Sequence, residues 1–222
     1  MPIEIIAHRG ANREAPENTL PAFQTALDIG VNGIELDVQL TADGIPVVHH
    51  DAFLRDSQAS AIATLSLSDL RQLSDAPRLE EVLTLVGARC RVYVEIKAAT
   101  AVDAVVELLK SRLEWCTVHS FDHRVALRAR ALDPAIRTGI LLVSYLVDVA
   151  AALRAANAAD LWQHADFVDQ ELVDRVHAAN GRVIAWTVND IPRAKALVKM
   201  GVDALCTDVP RELLTGLNEG PS

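Results

Sequence analysis

Five side chains with complementary chemistry fall early in the chain: His8, Arg9, Glu35, Asp37 and His50. They occur in three short segments, His8-Arg9-Gly10, Glu35-Leu36-Asp37 and His49-His50-Asp51, each closing an apolar run. An unperturbed imidazole titrates near neutral pH and can move protons. A guanidinium can fork onto a phosphate, and clustered carboxylates can hold a hard cation. Glu95-Ile96-Lys97 adds a further carboxylate and an ammonium at alternate positions. Together these groups could bind a divalent metal, grip a phosphate and transfer protons.

The elements between them decide whether they meet. Ile34 to Leu40 alternates with the period of a strand, Ala42-Asp43-Gly44 is a turn signal, and Ile45-Pro46-Val47-Val48 reads as a returning strand. A parallel crossover needs a dozen or more residues, so this pair must be an antiparallel hairpin. With the turn centred near Ala42 and Asp43, positions summing to about 85 face each other, which sets His50 opposite Glu35.

Apolar runs alternate with helical patterns along the rest of the chain. Strands are expected over Ile3–His8, Gly33–Leu40, Arg91–Ile96, Cys116–His119, Arg137–Leu142, near Asp166-Phe167-Val168, over Arg182–Val188 and over Val202–Thr207. The first helix is capped by Asn18-Thr19, carries Pro21 in its first turn, places Leu20, Phe23 and Leu27 on one face and stops at Gly30. Eight strands joined by helices close a barrel. The expected architecture is an α/β single domain over residues 1–222, a (β/α)8 TIM barrel with a β-hairpin extension after the second strand and a short insertion before the third. The recurrence of Gly30-Val31-Asn32-Gly33 as Gly201-Val202-Asp203-Ala204 needs only a helix-stop glycine feeding a strand in both places.

Composition agrees. The 222 residues are 50% hydrophobic but only 4% aromatic, so the core must be aliphatic, as in a buried parallel sheet. A net charge of −9 without a basic stripe argues against a nucleic-acid partner. Met1-Pro2-Ile3-Glu4-Ile5-Ile6 has neither a basic lead nor a long apolar stretch, and no window approaches the ~20 apolar residues of a transmembrane segment. Cys90, Cys116 and Cys206 are odd in number and lack metal-type spacing, which reads as reduced, buried thiols of a cytoplasmic protein.

In such a barrel the reacting groups stand at the carboxyl ends of the strands. Glu35, Asp37 and Glu95 would turn inward there, either as a buried ion-pair network with Arg9 and Lys97 or as oxygen ligands of one divalent cation, Mg2+ or Ca2+. The first reading leaves many charges buried without a ligand, at several kcal/mol each, so the second is preferred. His8 and His50 suit proton transfer, and Arg9 and Lys97 suit phosphate oxygens. Glu17-Asn18-Thr19 reads mainly as a helix cap, although Glu17 is close enough to orient Arg9. The remaining histidines, His49, His119, His123, His164 and His177, read as structural or surface groups, with His119 nearest to an exception.

The ordered set His8-Arg9-Gly10, Glu17-Asn18-Thr19, Glu35-Leu36-Asp37-Val38, Val48-His49-His50-Asp51, Glu95-Ile96-Lys97, Ser120-Phe121-Asp122, Trp186-Thr187-Val188-Asn189 and Thr207-Asp208-Val209-Pro210 resembles the glycerophosphodiester phosphodiesterase family over nearly the whole chain. The resemblance implies a metal-dependent barrel hydrolase that cleaves glycerophosphodiesters, small-molecule substrates, to sn-glycerol 3-phosphate and an alcohol. It assigns His8 and His50 as the acid/base pair, Glu35, Asp37 and Glu95 as metal ligands, and Arg9 and Lys97 as phosphate contacts. Phe121 and Trp186 would wall the glycerol carbons. Members of this family often carry a longer glycine-rich insertion after the His-Asp motif, whereas the segment from Asp51 to Leu79 is short here and its Arg55-Asp56-Ser57-Gln58 stretch is polar. Two alternatives stand beside hydrolysis of the simple diester: lysophospholipase D-like activity on the same site, and a non-catalytic phosphodiester-binding barrel. Every expected site position is filled, which disfavours the second.

Overall fold

The computed structural model describes residues 3–55 and 57–218. Met1 and Pro2 of the amino-terminal run and Asp56 of the polar segment lie outside the described residues. Eight parallel strands, β1 (Glu4–His8), β2 (Gly33–Leu40), β4 (Arg91–Ile96), β5 (Cys116–Ser120), β6 (Arg137–Leu142), β7 (Asp160–His164), β8 (Arg182–Trp186) and β9 (Ala204–Thr207), follow one another around a sheet that closes through β1–β2 and β1–β9 pairing. β3 (Pro46–Val48) is the hairpin arm, antiparallel on β2. The fold is a (β/α)8 barrel with a hairpin after its second strand.

The helices cover the outside: α1 (Leu20–Ile29), α2 (Leu67–Leu73), α3 (Leu79–Val86), α4 (Val102–Leu109), α5 (His123–Leu132), α6 (Val149–Ala156), α7 (Gln170–Ala178), α8 (Ile191–Met200) and α9 (Pro210–Asn218). Both α2 and α3 precede β4, which accounts for the insertion before the third barrel strand. Aliphatic side chains fill the layer between strands and helices, while Ile6, Tyr93, Leu141, Trp162, Ile184 and Cys206 form a smaller cluster of their own. A Cβ on Gly33 would lie 2.7 Å from the Tyr93 ring, so glycine here admits an aromatic into a crowded layer. Tyr93 then meets Trp162 edge-on at 5.2 Å.

Three expectations are corrected. The sixth barrel strand, β7, is Asp160–His164, not the segment near Asp166-Phe167-Val168, where Ala165–Phe167 is a 3-10 turn. The signal was hidden because Asp160, Gln163 and His164 interrupt the apolar run, yet Asp160 and Gln163 are buried with internal partners. The hairpin pairs Val38 with Val48 and Leu40 with Pro46, one position longer than expected, so the register points His50 toward Leu36 and not Glu35. The cause is a turn centred on Asp43, where Thr41 and Ile45 bond across the loop. Finally, α1 is capped by Thr19 and stopped by left-handed Gly30, but it buries Ala22, Phe23 and Ala26 and leaves Leu20 exposed. The loop after β1 seats Gly10 directly on Ala22, which requires small residues on that face.

The three cysteines are buried and unpaired, with Cys90 and Cys116 thiols pushed by burial up to about 12. Among the described residues no helix is long and apolar enough to cross a membrane.

Candidate active site

His8 closes β1, and the chain then turns sharply because Arg9 and Gly10 both take left-handed backbone, φ +57° and +80°. Such a conformation costs a non-glycine residue about 1–2 kcal/mol and persists where surroundings enforce it. Here the Arg9 N–H donates to Glu35 Oε2 at 3.1 Å, and the Asn18 N–H donates to the Arg9 carbonyl at 3.0 Å. A Cβ on Gly10 would sit 2.8 Å from Ala22, so this turn has no room for another residue.

Period-2 alternation turns Glu35 and Asp37 of β2 and Glu95 of β4 inward, all three nearly inaccessible. Parallel register sets Asp37 beside Glu95, and Glu95 beside His119 of β5. Lys97 Nζ lies 2.8 Å from Glu95 Oε1 and 3.3 Å from Asp37 Oδ1. Arg9 Nε lies 3.1 Å from Asp37 Oδ2, which also accepts from Asn18 Nδ2 at 2.8 Å. Arg9 Nη1 reaches both Glu17 oxygens at 3.1 Å, so Glu17 does orient the guanidinium.

The cations are therefore concentrated on Asp37. Burial opposes its ionisation, but Lys97, Arg9 and Asn18 outweigh burial and hold the carboxyl below its ordinary range. Glu35 goes the other way, driven well above its ordinary range by burial and then by Asp37 and Glu95. Glu95 is pushed up to about 7 by burial and by Asp37, despite Lys97. The site thus carries more buried carboxylate than its own cations neutralise. Asp37 Oδ1 and Arg9 Nε are buried without an aligned hydrogen bond.

Each of the two imidazoles is anchored through Nδ1. His8 Nδ1 lies 2.6 Å from Asp208 Oδ1, and His50 Nδ1 lies 2.7 Å from Asp51 Oδ1. An ionised carboxylate only accepts, so in both pairs the proton is on Nδ1 and Nε2 is left for chemistry. Burial would raise Asp208, but hydrogen bonds from His8, Asn12 and Asn189 prevail and hold it well below the usual carboxylate range. Asp51 is likewise lowered, chiefly by its bond with His50.

His8, Arg9, Glu35, His50, Glu95, Lys97, Phe121 and Trp186 line one cavity of about 220 Å3. Asp37 does not line it. Lys97 Nζ stands 5.7 Å from the Phe121 ring centre, and Phe121 meets Trp186 edge-on at 5.5 Å. A more open polar hollow of about 340 Å3, which includes Glu17, Asn18, Asp51 and Arg55, adjoins it at His50.

Two participants were not foreseen. Asp208 stands in the sequence only within the Thr207-Asp208-Val209-Pro210 motif, and its partnership with His8 spans the barrel closure between β1 and β9. His119 reads from the sequence as one of the structural histidines, yet it lines the cavity, stacked on Trp162 at 4.1 Å with the planes 3° apart. Its place as the inward residue of β5 beside Glu95 was the available signal. Among the described residues, Glu35, Glu95 and His119 offer ligand atoms within 4.8 Å of one another. Burial lowers the His119 imidazole to about 3, leaving it neutral. His177, by contrast, bonds Asp203 just ahead of β9, at the opposite end of the barrel.

Residues 8–212 match the Glycerophosphoryl diester phosphodiesterase family. A glycerophosphodiester phosphodiesterase of Caldanaerobacter subterraneus subsp. tengcongensis is 29% identical, with 97% of this chain and 98% of that protein covered. An Oleispira antarctica phosphodiesterase, solved with the product sn-glycerol-3-phosphate, superposes with a TM-score of 0.89 at 29% identity, covering 97% of both chains. The glycerophosphodiester phosphodiesterase of Thermotoga maritima superposes with a TM-score of 0.87 at 27% identity, covering 98% of this chain and 99% of that one.

Proposed function

As the chain belongs to the glycerophosphoryl diester phosphodiesterase family, we propose that it hydrolyses glycerophosphodiesters to sn-glycerol 3-phosphate and an alcohol, as one catalytic domain acting in the cytoplasm. The observation that carries this reading is a pair of imidazoles, each tied at Nδ1 to its own carboxylate, lining one cavity with Arg9 and Lys97. Arg9 meets the phosphate through Nη2, the guanidinium nitrogen that Asp37 and Glu17 leave free, and Lys97 meets it as a point charge. One of His8 and His50 takes the proton of the attacking hydroxyl at Nε2, and the other gives a proton to the leaving alkoxide. Phe121 and Trp186 pack against the glycerol carbons, and the Trp186 indole N–H, buried without a partner, is available to a hydroxyl. The polar hollow beside His50 suits a polar alcohol.

The donor set fits a divalent cation. Glu35 is forced toward its neutral form by crowding and burial, and Asp37 Oδ1 has Lys97 Nζ at 3.3 Å but no aligned hydrogen bond. Glu35, Asp37 and Glu95 would hold the ion, Mg2+ or Ca2+ among hard cations. When bound, such an ion stabilises charge on a non-bridging phosphoryl oxygen.

Release of glycerol 3-phosphate from glycerophosphocholine, with and without chelator, tests both parts. Release abolished by chelator and restored by a divalent cation is the expected result. Undiminished release in chelator removes the metal, and no release from any glycerophosphodiester removes the activity. An analogue lacking the glycerol 2-hydroxyl separates attack by that hydroxyl, for which an oriented internal nucleophile offers effective molarities of ~10^5 M or more, from attack by water.

A specific observation favours a second reading on the same site. From Phe121 and Trp186 the ring contacts continue to His164 at 5.4 Å and on to Phe167 at 6.1 Å. Phe167 is 41% exposed, and Val143 and Val147 on the loop after β6 are 55% and 84% exposed. These exposed apolar side chains on the loops after β6 and β7 suit an acyl chain on the glycerol, as lysophospholipase D-like activity requires. A higher kcat/KM for acylated than for plain glycerophosphocholine, reversed by Phe167→Ser, supports it; equal values with no effect of the substitution exclude it.

A further inference from the structure

We propose that His119 is a nitrogen ligand of the cation, completing the set begun by Glu35 and Glu95. The inference rests on the reading that a divalent cation binds in this cavity.

His119 is the inward residue of β5 and stands in register beside Glu95. Its Nε2 is 3.9 Å from Glu35 Oε1, too far for a hydrogen bond, and the three ligand atoms lie within 4.8 Å of one another. Both ring nitrogens are buried without a hydrogen-bond partner, although the side chain is only 1% exposed. Buried polar atoms in native proteins are almost always met by protein, water or an ion. A structural core histidine would show such a partner; this one shows a free nitrogen beside two crowded carboxylates. The Trp162 stack fixes the ring plane, so the donor is oriented in advance. In most metal-binding histidines a hydrogen bond from the second ring nitrogen sets the orientation; here the stack does so.

The chemical consequence concerns which ion is preferred. Sites of carboxylate alone suit Mg2+ and Ca2+, whereas an added imidazole favours first-row transition metals. The cavity should therefore select Mn2+ over Ca2+ more strongly than three carboxylates do.

The test measures binding rather than turnover. Mn2+ and Ca2+ are titrated calorimetrically into the metal-free wild type and into His119→Phe, which keeps the stacked ring and removes both nitrogens. Electron spin-echo spectra of the Mn2+ complexes report directly bound nitrogen. The expected outcome is a nitrogen coupling in the wild type that disappears in His119→Phe, with Mn2+ binding weakened about 10-fold or more and Ca2+ binding changed little. A nitrogen coupling that survives, or Mn2+ affinity unchanged in the variant, overturns the proposal while leaving cation binding intact. Absence of Mn2+ and Ca2+ binding to the wild type overturns the cation reading itself, and this proposal with it. Should His119→Phe not fold, the anomalous signal of Mn2+ in wild-type crystals decides: a peak in bonding contact with Nε2 supports ligation, and one bound by carboxylates alone refutes it.

Discussion

His8 and His50 meet one requirement in two ways. The proposed proton transfer needs Nδ1 occupied and Nε2 free in each, and His50 takes its immediate neighbour Asp51 while His8 takes Asp208 from the far end of the chain. His8→Ala and His50→Ala should each lower kcat about 100-fold or more with the fold intact, whereas His177→Ala, at the other end of the barrel, should change it little. Near-normal turnover of either cavity variant in a steady-state assay would remove that histidine from the mechanism. The Asp208 pair also has a stability signature. Its carboxyl is held below the ordinary value of about 3.9, so its contribution is complete above that pH and is lost as pH falls toward the folded-state value. The melting-temperature gap between wild type and Asp208→Asn should be steady from pH 8 to about 5 and begin to close below about pH 4. A gap that does not change down to about pH 2 would show that the pair is not the cause.

At the scale of elements, the turn after β1 ties strand, helix and site together. Arg9 reaches Glu35, Asp37 and Glu17 only because Gly10 folds the chain onto α1 with φ +80° and no side chain against Ala22. Gly10→Ala adds left-handed strain of about 1–2 kcal/mol and a clash with backbone. For a domain of this size that should lower the melting temperature by roughly 4 °C or more. It should also raise KM, because Arg9 moves with the turn. Calorimetry and kinetics on the same preparation check this, and a variant with wild-type stability and KM would show that the turn relaxes freely. The hairpin plays the corresponding part for His50. Val38–Val48 pairing carries the chain back along β2, and Gln39 Nε2 holds the His50 carbonyl at 3.0 Å.

Across the whole molecule, chemistry and stability are assigned to opposite ends of the barrel. At the amino ends of the strands, Arg137 makes two bonds to buried Asp160 at 2.9 and 2.6 Å, and Glu4 accepts from Tyr93 and Arg182. Removing one partner of a buried pair typically costs 3–5 kcal/mol, but Arg137 is partly solvated, so about 1–2 kcal/mol is expected for Asp160→Ala. The variant should melt roughly 2–8 °C lower while kcat stays within about twofold. A large loss of kcat at unchanged stability would mean that the two ends are coupled.

Strand and helix periods, glycine stops and the motifs at the carboxyl ends are local properties, and they were enough for seven of the eight barrel strands, the hairpin and a rim carrying His8, Arg9, Glu35, Glu95 and Lys97. Local pattern has no access to distance around a closed sheet. Barrel closure sets Asp208 on His8, and strand register brings His119 beside Glu95. Local pattern allowed an ion-pair network of Arg9 and Lys97 with the three carboxylates, but not that both cations would be drawn onto Asp37, leaving Glu35 undercompensated. β7 was misplaced for the same reason, since Asp160 and Gln163 look unsuited to a core until their long-range partners are present. Which groups lie at the site follows from the order of residues; which of them share a charge, a proton or an ion follows from the closure of the barrel.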